Sequence, residues 1–509
     1  MFFLGFIHIL GSLTRKEKNM GERTWASSLL SLIKVLVCLS LISHVLGEKS
    51  VHLREATRKQ HDHQMRKMQA FKASFVRRDS VSSPNSVSPS PTPYAVTVTP
   101  SPRVYHVTSY GADPTGKIDS TEAISQAISD ALEGPSDGFL MQGIANLGGA
   151  QVNLEGGNYL ISQPLQFPVL GRGNLMIHGG TLKASDNFPT DGYLIDLSTS
   201  SGNAPEYFFE FITLRDLLLD SNFRGGGIQV INSLRTSIDN CYITHFTTNG
   251  ILAKGGHETY IRNSFLGQHI TAGGDKGERN FSGTAINLMG NDNSVTNVVI
   301  FSAGIGIMVS GQANLLSGVH CYNKATGFGG TGIYLKLAGL TQTRIVDSYM
   351  DFTGIVAEDP VQLHISNTFF LGDAFITLKS INGVVNGVNI VDNMFSGSNK
   401  GVDIVQLDQS NGPFTTIDQV VVDKNNVKGM NLKATIGSGV VQGNGTSWTL
   451  DLNPILLFPN LIKNVQYTFF PSGNSFVNHA LRNVSNNQVL VESDVQVPAS
   501  VFVVVDQGK

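Results

Sequence analysis

Asp351 and Asp373 are the two acids whose spacing best suits joint chemistry. Each stands just before a copy of a recurring mark, a small or turn residue followed by a β-branched one. Asp351 precedes Gly354-Ile355 by three residues and Asp373 precedes Phe375-Ile376 by two. Two carboxyls at like positions on adjacent repeats can divide the work of general acid–base catalysis, one protonated and donating, the other ionised and accepting. The same strip of turns contains His245, Asn249, Lys324 and Lys400, cations and amides suited to holding an anionic ligand. The competing account is two solvated turn carboxylates, since Asp is common in turns.

A second source of acids is the interval from Gly250 to Ala285, longer than its neighbours by about ten residues. The segment His269–Asn280 accounts for the excess and carries Asp275, Lys276, Glu278 and Arg279. Long loops on a rigid scaffold are where function concentrates, so Asp275 and Glu278 are candidate catalytic acids and Arg279 a candidate ligand-binding cation. Asn280-Phe-Ser282 is also a glycosylation sequon, and a glycan there would crowd a cleft. His257-Glu258 and His320 fit structural roles, and Asp220-Ser-Asn222 fits a turn at a strand end.

The elements that must position these residues follow from the mark itself. It recurs at Gly227-Ile228, Gly250-Ile251, Ala285-Ile286, Gly306-Ile307, Gly332-Ile333, Gly354-Ile355, Phe375-Ile376 and Gly401-Val402. Apart from the one long interval the steps are roughly 21–26 residues, the window of solenoids. Between marks lie short runs of Val, Ile, Phe and Thr with no helical apolar period. A single such coil cannot bury its own apolar face, but stacked coils bury a continuous core. The prediction is an all-β parallel β-helix over 104–410. Ala123, Ile124, Ala127, Ile128 and Ala131 line one face of a helix that Asp119 or Ser120 can cap, and this helix would lid the open solenoid end. From 411 to 509 the marks stop and hairpin-like strands appear at 417–422, 488–491 and 501–505, predicting final coils with a C-terminal β cap or a small β module.

Ahead of the folded body, Val35–Leu46 is an apolar run with Arg23 and Lys34 before it and Val45-Leu46-Gly47 before Glu48, so residues 1–47 are predicted to be a signal peptide, with 1–19 as an upstream extension. Residues 48–103 are basic and then rich in Ser and Pro, as a propeptide or stiff linker would be. The expected product is secreted, without a stable membrane span after cleavage. Sequons at Asn280, Asn444 and Asn483 agree with that route. Cys241 and Cys321 fall about three coils apart, roughly 14 Å at strand spacing, too far for a disulfide. The mature chain has no Cys/His cluster for zinc, and no cofactor or metal site is expected, although calcium needs only oxygen ligands. With 15% charged residues and a net charge of −3, nothing in the composition argues for nucleic-acid binding.

The opening Val107–Ala131, the Gly-Gly-Ala-Gln-Val152 and Gly-Gly-Asn-Tyr159 segments after it and the coils that follow resemble the pectin-lyase-like superfamily of right-handed β-helices. Within it the chain is most similar to divergent plant polygalacturonases of the quartet type. That resemblance implies a monomeric enzyme of the extracellular space and cell wall that hydrolyses α-1,4 linkages of homogalacturonan, a pectic polysaccharide, with inversion and without metal. Such enzymes place Asn-Thr-Asp, Asp-Asp, Gly-His-Gly and Arg-Ile-Lys on successive coils. Here the corresponding stretches are Thr247-Thr248-Asn249, Ser282-Gly283-Thr284 and Ala303-Gly304-Ile305-Gly306, without the acids or the His. No family catalytic residue carries over, so the acids must come from Asp351, Asp373, Asp275 and Glu278, with His245, Arg279, Lys324 and Lys400 binding uronate. Two other readings stay open: a calcium-dependent pectate lyase on the same scaffold, and a non-catalytic pectin-binding wall protein.

Overall fold

A computed structural model describes residues 103–198, 206–269, 282–322, 329–473 and 476–508. The expected leader and nearly all of the expected linker lie outside them, as do Asp275, Glu278, Arg279, Asn280 and Lys324.

The recurring mark builds an isoleucine stack. Ile228, Ile251, Ile286, Ile307, Ile333, Ile355 and Ile376 pair coil to coil in parallel register, and all are buried. Except at Phe375-Ile376, the residue before each is small, and the next coil's backbone passes close by: a Cβ on Gly250 would come within 2.6 Å of the Ala285 carbonyl oxygen. The stack ends on Val405, not on the expected Val402. A longer turn after Ser396 delays that strand to Val405–Asp408.

Two further stacks complete a three-sided, right-handed parallel β-helix. Leu214, Ile238, Ile261, Val295, Leu316, Ile345, Ile365 and Ile390 form the inner row of the second sheet. Leu219, Ile243, Leu266, Ile300, Cys321, Met350, Phe370 and Phe395 form that of the third. Phe370 and Phe395 stack face to face with centroids 4.4 Å apart. Between these two sheets the chain turns through one left-handed residue. Asn240, Asn263, Asn297, Asp347, Asn367 and Asp392 hold this place with φ between 49° and 57°, which short polar side chains tolerate best. Side-chain ladders knit other turns: the Asn314 Oδ1 accepts the Asn293 N–H, and the Asn293 Oδ1 accepts the Thr259 N–H.

Both ends are closed. The helix Thr121–Glu133 starts from Ser120, with the Asp119 carboxylate accepting the Thr121 N–H, and buries Ile124, Ala127, Ile128, Ala131 and Leu132. At the other end the solenoid runs past 410. Thr416–Asp423 pairs in parallel with Val384–Val391 and Asn426–Lys428 with Met394–Ser396, so the strand expected at 417–422 belongs to a final coil. Beyond it, Ile436–Asp451, Asn464–Pro471, His479–Ser485 and Gln488–Asp506 form a four-stranded antiparallel sheet. It has its own core around Trp448, Phe469, Val489, Val501 and Val503. Thr435 joins it to the last coil through bonds in both directions with the Val422 backbone. The sequon residues Asn444 and Asn483 are exposed on this sheet.

Candidate active site

Strand alternation turns Met350 into the core and Tyr349 and Asp351 outward. Asp351 is the last residue of its third-sheet strand, in register with Tyr322 on one side and Leu371 on the other. The outer face around it is aromatic. His320 meets Tyr349 edge-on at 4.5 Å and Tyr322 at 5.0 Å, and Tyr349 stacks on Phe369 at 5.6 Å. Among these rings burial pushes the Asp351 carboxyl above the ordinary aspartate range, against the opposite pull of His320. Burial also depresses His320, and its Nε2 is buried without a hydrogen-bond partner.

Asp373 lies on the next coil, two residues past Leu371, at a left-handed turn position with φ 63°. Its Oδ2 accepts the Ser398 hydroxyl at 2.6 Å and its Oδ1 the Ser398 N–H at 2.7 Å, with Lys400 Nζ 3.8 Å from Oδ2. The Ser398 hydroxyl bond contributes most, and with the amide and Lys400 it outweighs burial and holds Asp373 below the usual range. Lys400 itself is largely exposed. The corner thus presents one carboxyl that keeps its proton longer and one that loses it sooner, with an exposed cation beside the second.

His245 occupies the same corner on an earlier coil. Its Nδ1 lies 2.6 Å from the Asp220 Oδ1, and its ring packs against Phe223 at 4.6 Å. Asp220 is therefore more than a turn residue. Burial raises its carboxyl, but the His245 bond, the Asn222 amide and Lys183 outweigh that and lower it. His245 and Asp351 stand four coils apart, about 19 Å at strand spacing, so they do not touch the same sugar unit.

The stretches corresponding to the polygalacturonase motifs fall on one line. Asn249, Thr284, Ile305 and Thr331 pair coil to coil at the start of the first-sheet strands. Charged residues on this face appear at the far ends of later strands and were missed from sequence. Glu358, Lys379 and Asp408 are successive register partners. The Tyr334 hydroxyl donates to Glu358 Oε1 at 2.5 Å, and Lys379 Nζ lies 3.3 Å from the same oxygen. All three charged residues come three positions after the stacked Ile or Val, so the repeat contained the signal. His257 and Glu258 sit elsewhere: Arg235 pairs with Glu258 at 2.9 Å and with the buried Glu210.

The profile of the family described as rhamnogalacturonase A/epimerase, pectate lyase-like, matches residues 104–329. Polygalacturonase QRT3 of Arabidopsis thaliana is 68% identical over 450 residues, which span 88% of this chain and 92% of that protein. Among solved structures, the A-module of mannuronan C-5 epimerase AlgE6 from Azotobacter vinelandii aligns at 16% identity over 65% of this chain and 88% of its own, with a TM-score of 0.46. A tailspike protein of E. coli bacteriophage HK620 aligns at 12% identity over 80% and 93%, with a TM-score of 0.47.

Proposed function

The chain belongs to the pectin-lyase-like polygalacturonases, and on that premise we propose that it is a secreted, cell-wall hydrolase that cleaves α-1,4 linkages of homogalacturonan with inversion. The observation that carries the catalytic part is the opposed displacement of two carboxyls at one corner, Asp351 upward and Asp373 downward. Inversion uses a protonated acid on the leaving oxygen and a carboxylate about 6.5–9.5 Å away that activates water. One coil of about 4.8 Å plus a two-residue offset along the turn is of that order.

In this account Asp351 gives its proton to the glycosidic oxygen as the bond to the anomeric carbon breaks. Asp373 takes a proton from the water attacking that carbon from the opposite face. Tyr349 and Phe369 receive the apolar face of the sugar ring, as aromatic rings favour. Lys400 neutralises the uronate carboxylate, and His245 holds a sugar unit further along the corner. Asp275 and Glu278 as acids, and Arg279 and Lys324 as uronate-binding cations, remain candidates and lie outside the described residues. The protein acts as a monomer on the pectic polymer and needs no cofactor.

The test is a digest of de-esterified polygalacturonate by the purified protein, with and without a chelator. New reducing ends without the ultraviolet absorbance of an unsaturated uronide, unaffected by chelation, are expected. Absorbance that the chelator abolishes would identify a calcium lyase, and binding without either signal a wall-binding protein.

A further inference from the structure

The outer face of the second sheet, away from the corner of Asp351, carries a groove of about 730 Å³ lined by Leu315, Gln342, Arg344, Gln362, His364 and Asn389. Arg344, His364 and Asn389 stand in register on three successive coils, at steps of about 4.8 Å, with Leu315 on the coil before. The Gln342 side-chain amide donates to the Gln362 Oε1 at 2.8 Å, and His364 Nε2 lies 3.0 Å from the Ser366 hydroxyl. Arg344 is exposed, and among the described residues no ion pair or side-chain hydrogen bond engages its guanidinium.

No carboxylate lines the groove. The acids closest in the chain are occupied or displaced: Asp347 accepts the Asn367 amide at 2.6 Å, Asp359 accepts the Ile381, Asn382 and Val384 backbone amides, and Asp392 lies at the left-handed turn after Val391. The groove therefore offers an uncompensated guanidinium fork, an imidazole, a run of amides and an apolar edge at Leu315 and Val346. A guanidinium fork matches a carboxylate in geometry as well as charge, and amides match sugar hydroxyls.

We infer that this groove is a second binding site for a carboxylated sugar chain, in which Arg344 grips a uronate while the amides contact its hydroxyls. The inference rests on the pectic reading above and adds to it a place where the polymer is held apart from where it is cut. A uronate polymer running along the coils would anchor the enzyme to its substrate without entering the Asp351 corner.

The test measures retention of the full-length wild type, Arg344→Gln and Arg344→Glu in native gels containing de-esterified polygalacturonate or fully methyl-esterified pectin. Thermal unfolding of each variant and turnover of trigalacturonate are measured alongside. Retention by polygalacturonate is expected to weaken about tenfold in Arg344→Glu and less in Arg344→Gln. Retention by esterified pectin, melting and trigalacturonate turnover should stay at wild-type values. Wild-type retention of Arg344→Glu, or equal loss of trigalacturonate turnover, would overturn the inference. Retention that depends on Arg344 in a protein that cleaves no galacturonan would keep the groove and remove the hydrolase.

Discussion

Asp351 and Asp373 leave adjacent coils at one corner of the solenoid, and their surroundings push their carboxyls in opposite directions. Asp351 sits among His320, Tyr322 and Tyr349, where burial favours its protonated form. Asp373 is held ionised by Ser398 and Lys400. The divergence comes from a two-residue offset. Asp351 still belongs to the strand and its aromatic outer face, whereas Asp373 has passed into the turn and its polar donors.

In the proposed reaction this split sets the pH dependence of activity. Cleavage by this pair would need Asp373 ionised and Asp351 protonated, so kcat/KM should rise as pH climbs through the lowered Asp373 value and fall as it climbs through the raised Asp351 value. The expected profile is a bell on the acidic side. Replacing Ser398 by Ala removes the largest cause of the Asp373 shift and should move the acidic limb to higher pH, leaving the alkaline limb in place.

Core packing predicts where the fold is brittle. Phe370 is fully buried and stacked on Phe395. Phe370→Ala should cost about 3–5 kcal/mol, read from chemical denaturation, because neighbouring coils cannot collapse into the space. Phe265 lies on the outside of the same sheet and is exposed, so Phe265→Ala should cost far less.

Much of the fold was legible because one mark per coil has one meaning: from Ile228 to Ile376 the Ile of each mark stacks on that of the next. The mark gave the coil count, the corner and the placement of Asp351 and Asp373 on neighbouring coils. It carried no information about the outward positions of the third sheet, so the rings around Asp351 went unread. Glu358 escaped for a related reason, since a residue at the far end of a first-sheet strand lies off the strip before the mark. The stacking residue after Ile376 was expected at Val402 and stands at Val405 because the turn after Ser396 lengthened and broke the period, although Thr416–Asp423 still pairs as before.

Acid sensitivity should trace in part to the N-terminal lid. Asp113 accepts bonds from the Thr115 hydroxyl and from the Thr115, Lys117 and Ile118 amides, with the Thr115 hydroxyl foremost, and its pKa is lowered to about 2. A depressed carboxylate contributes stability that is present above its unfolded value and lost as pH falls through its folded one. The melting difference between wild type and Asp113→Asn should therefore be constant near neutrality and vanish as pH approaches about 2.

The two core thiols should be inert in the native protein. Cys241 and Cys321 are free and buried, and burial pushes both up to about 12. Peptide mapping after alkylation should find neither labelled before unfolding and both labelled in denaturant. Native labelling of either would show that the coils open locally.

The most direct test of the catalytic pair is the initial rate of reducing-end release from polygalacturonate by wild type and by Asp351→Asn, which keeps the shape and removes the transferable proton. A loss of about 10²–10⁴-fold at the pH optimum, with unchanged melting and polymer binding, is the predicted result. A rate within about twofold of wild type would contradict it and place the proton donor elsewhere on the solenoid.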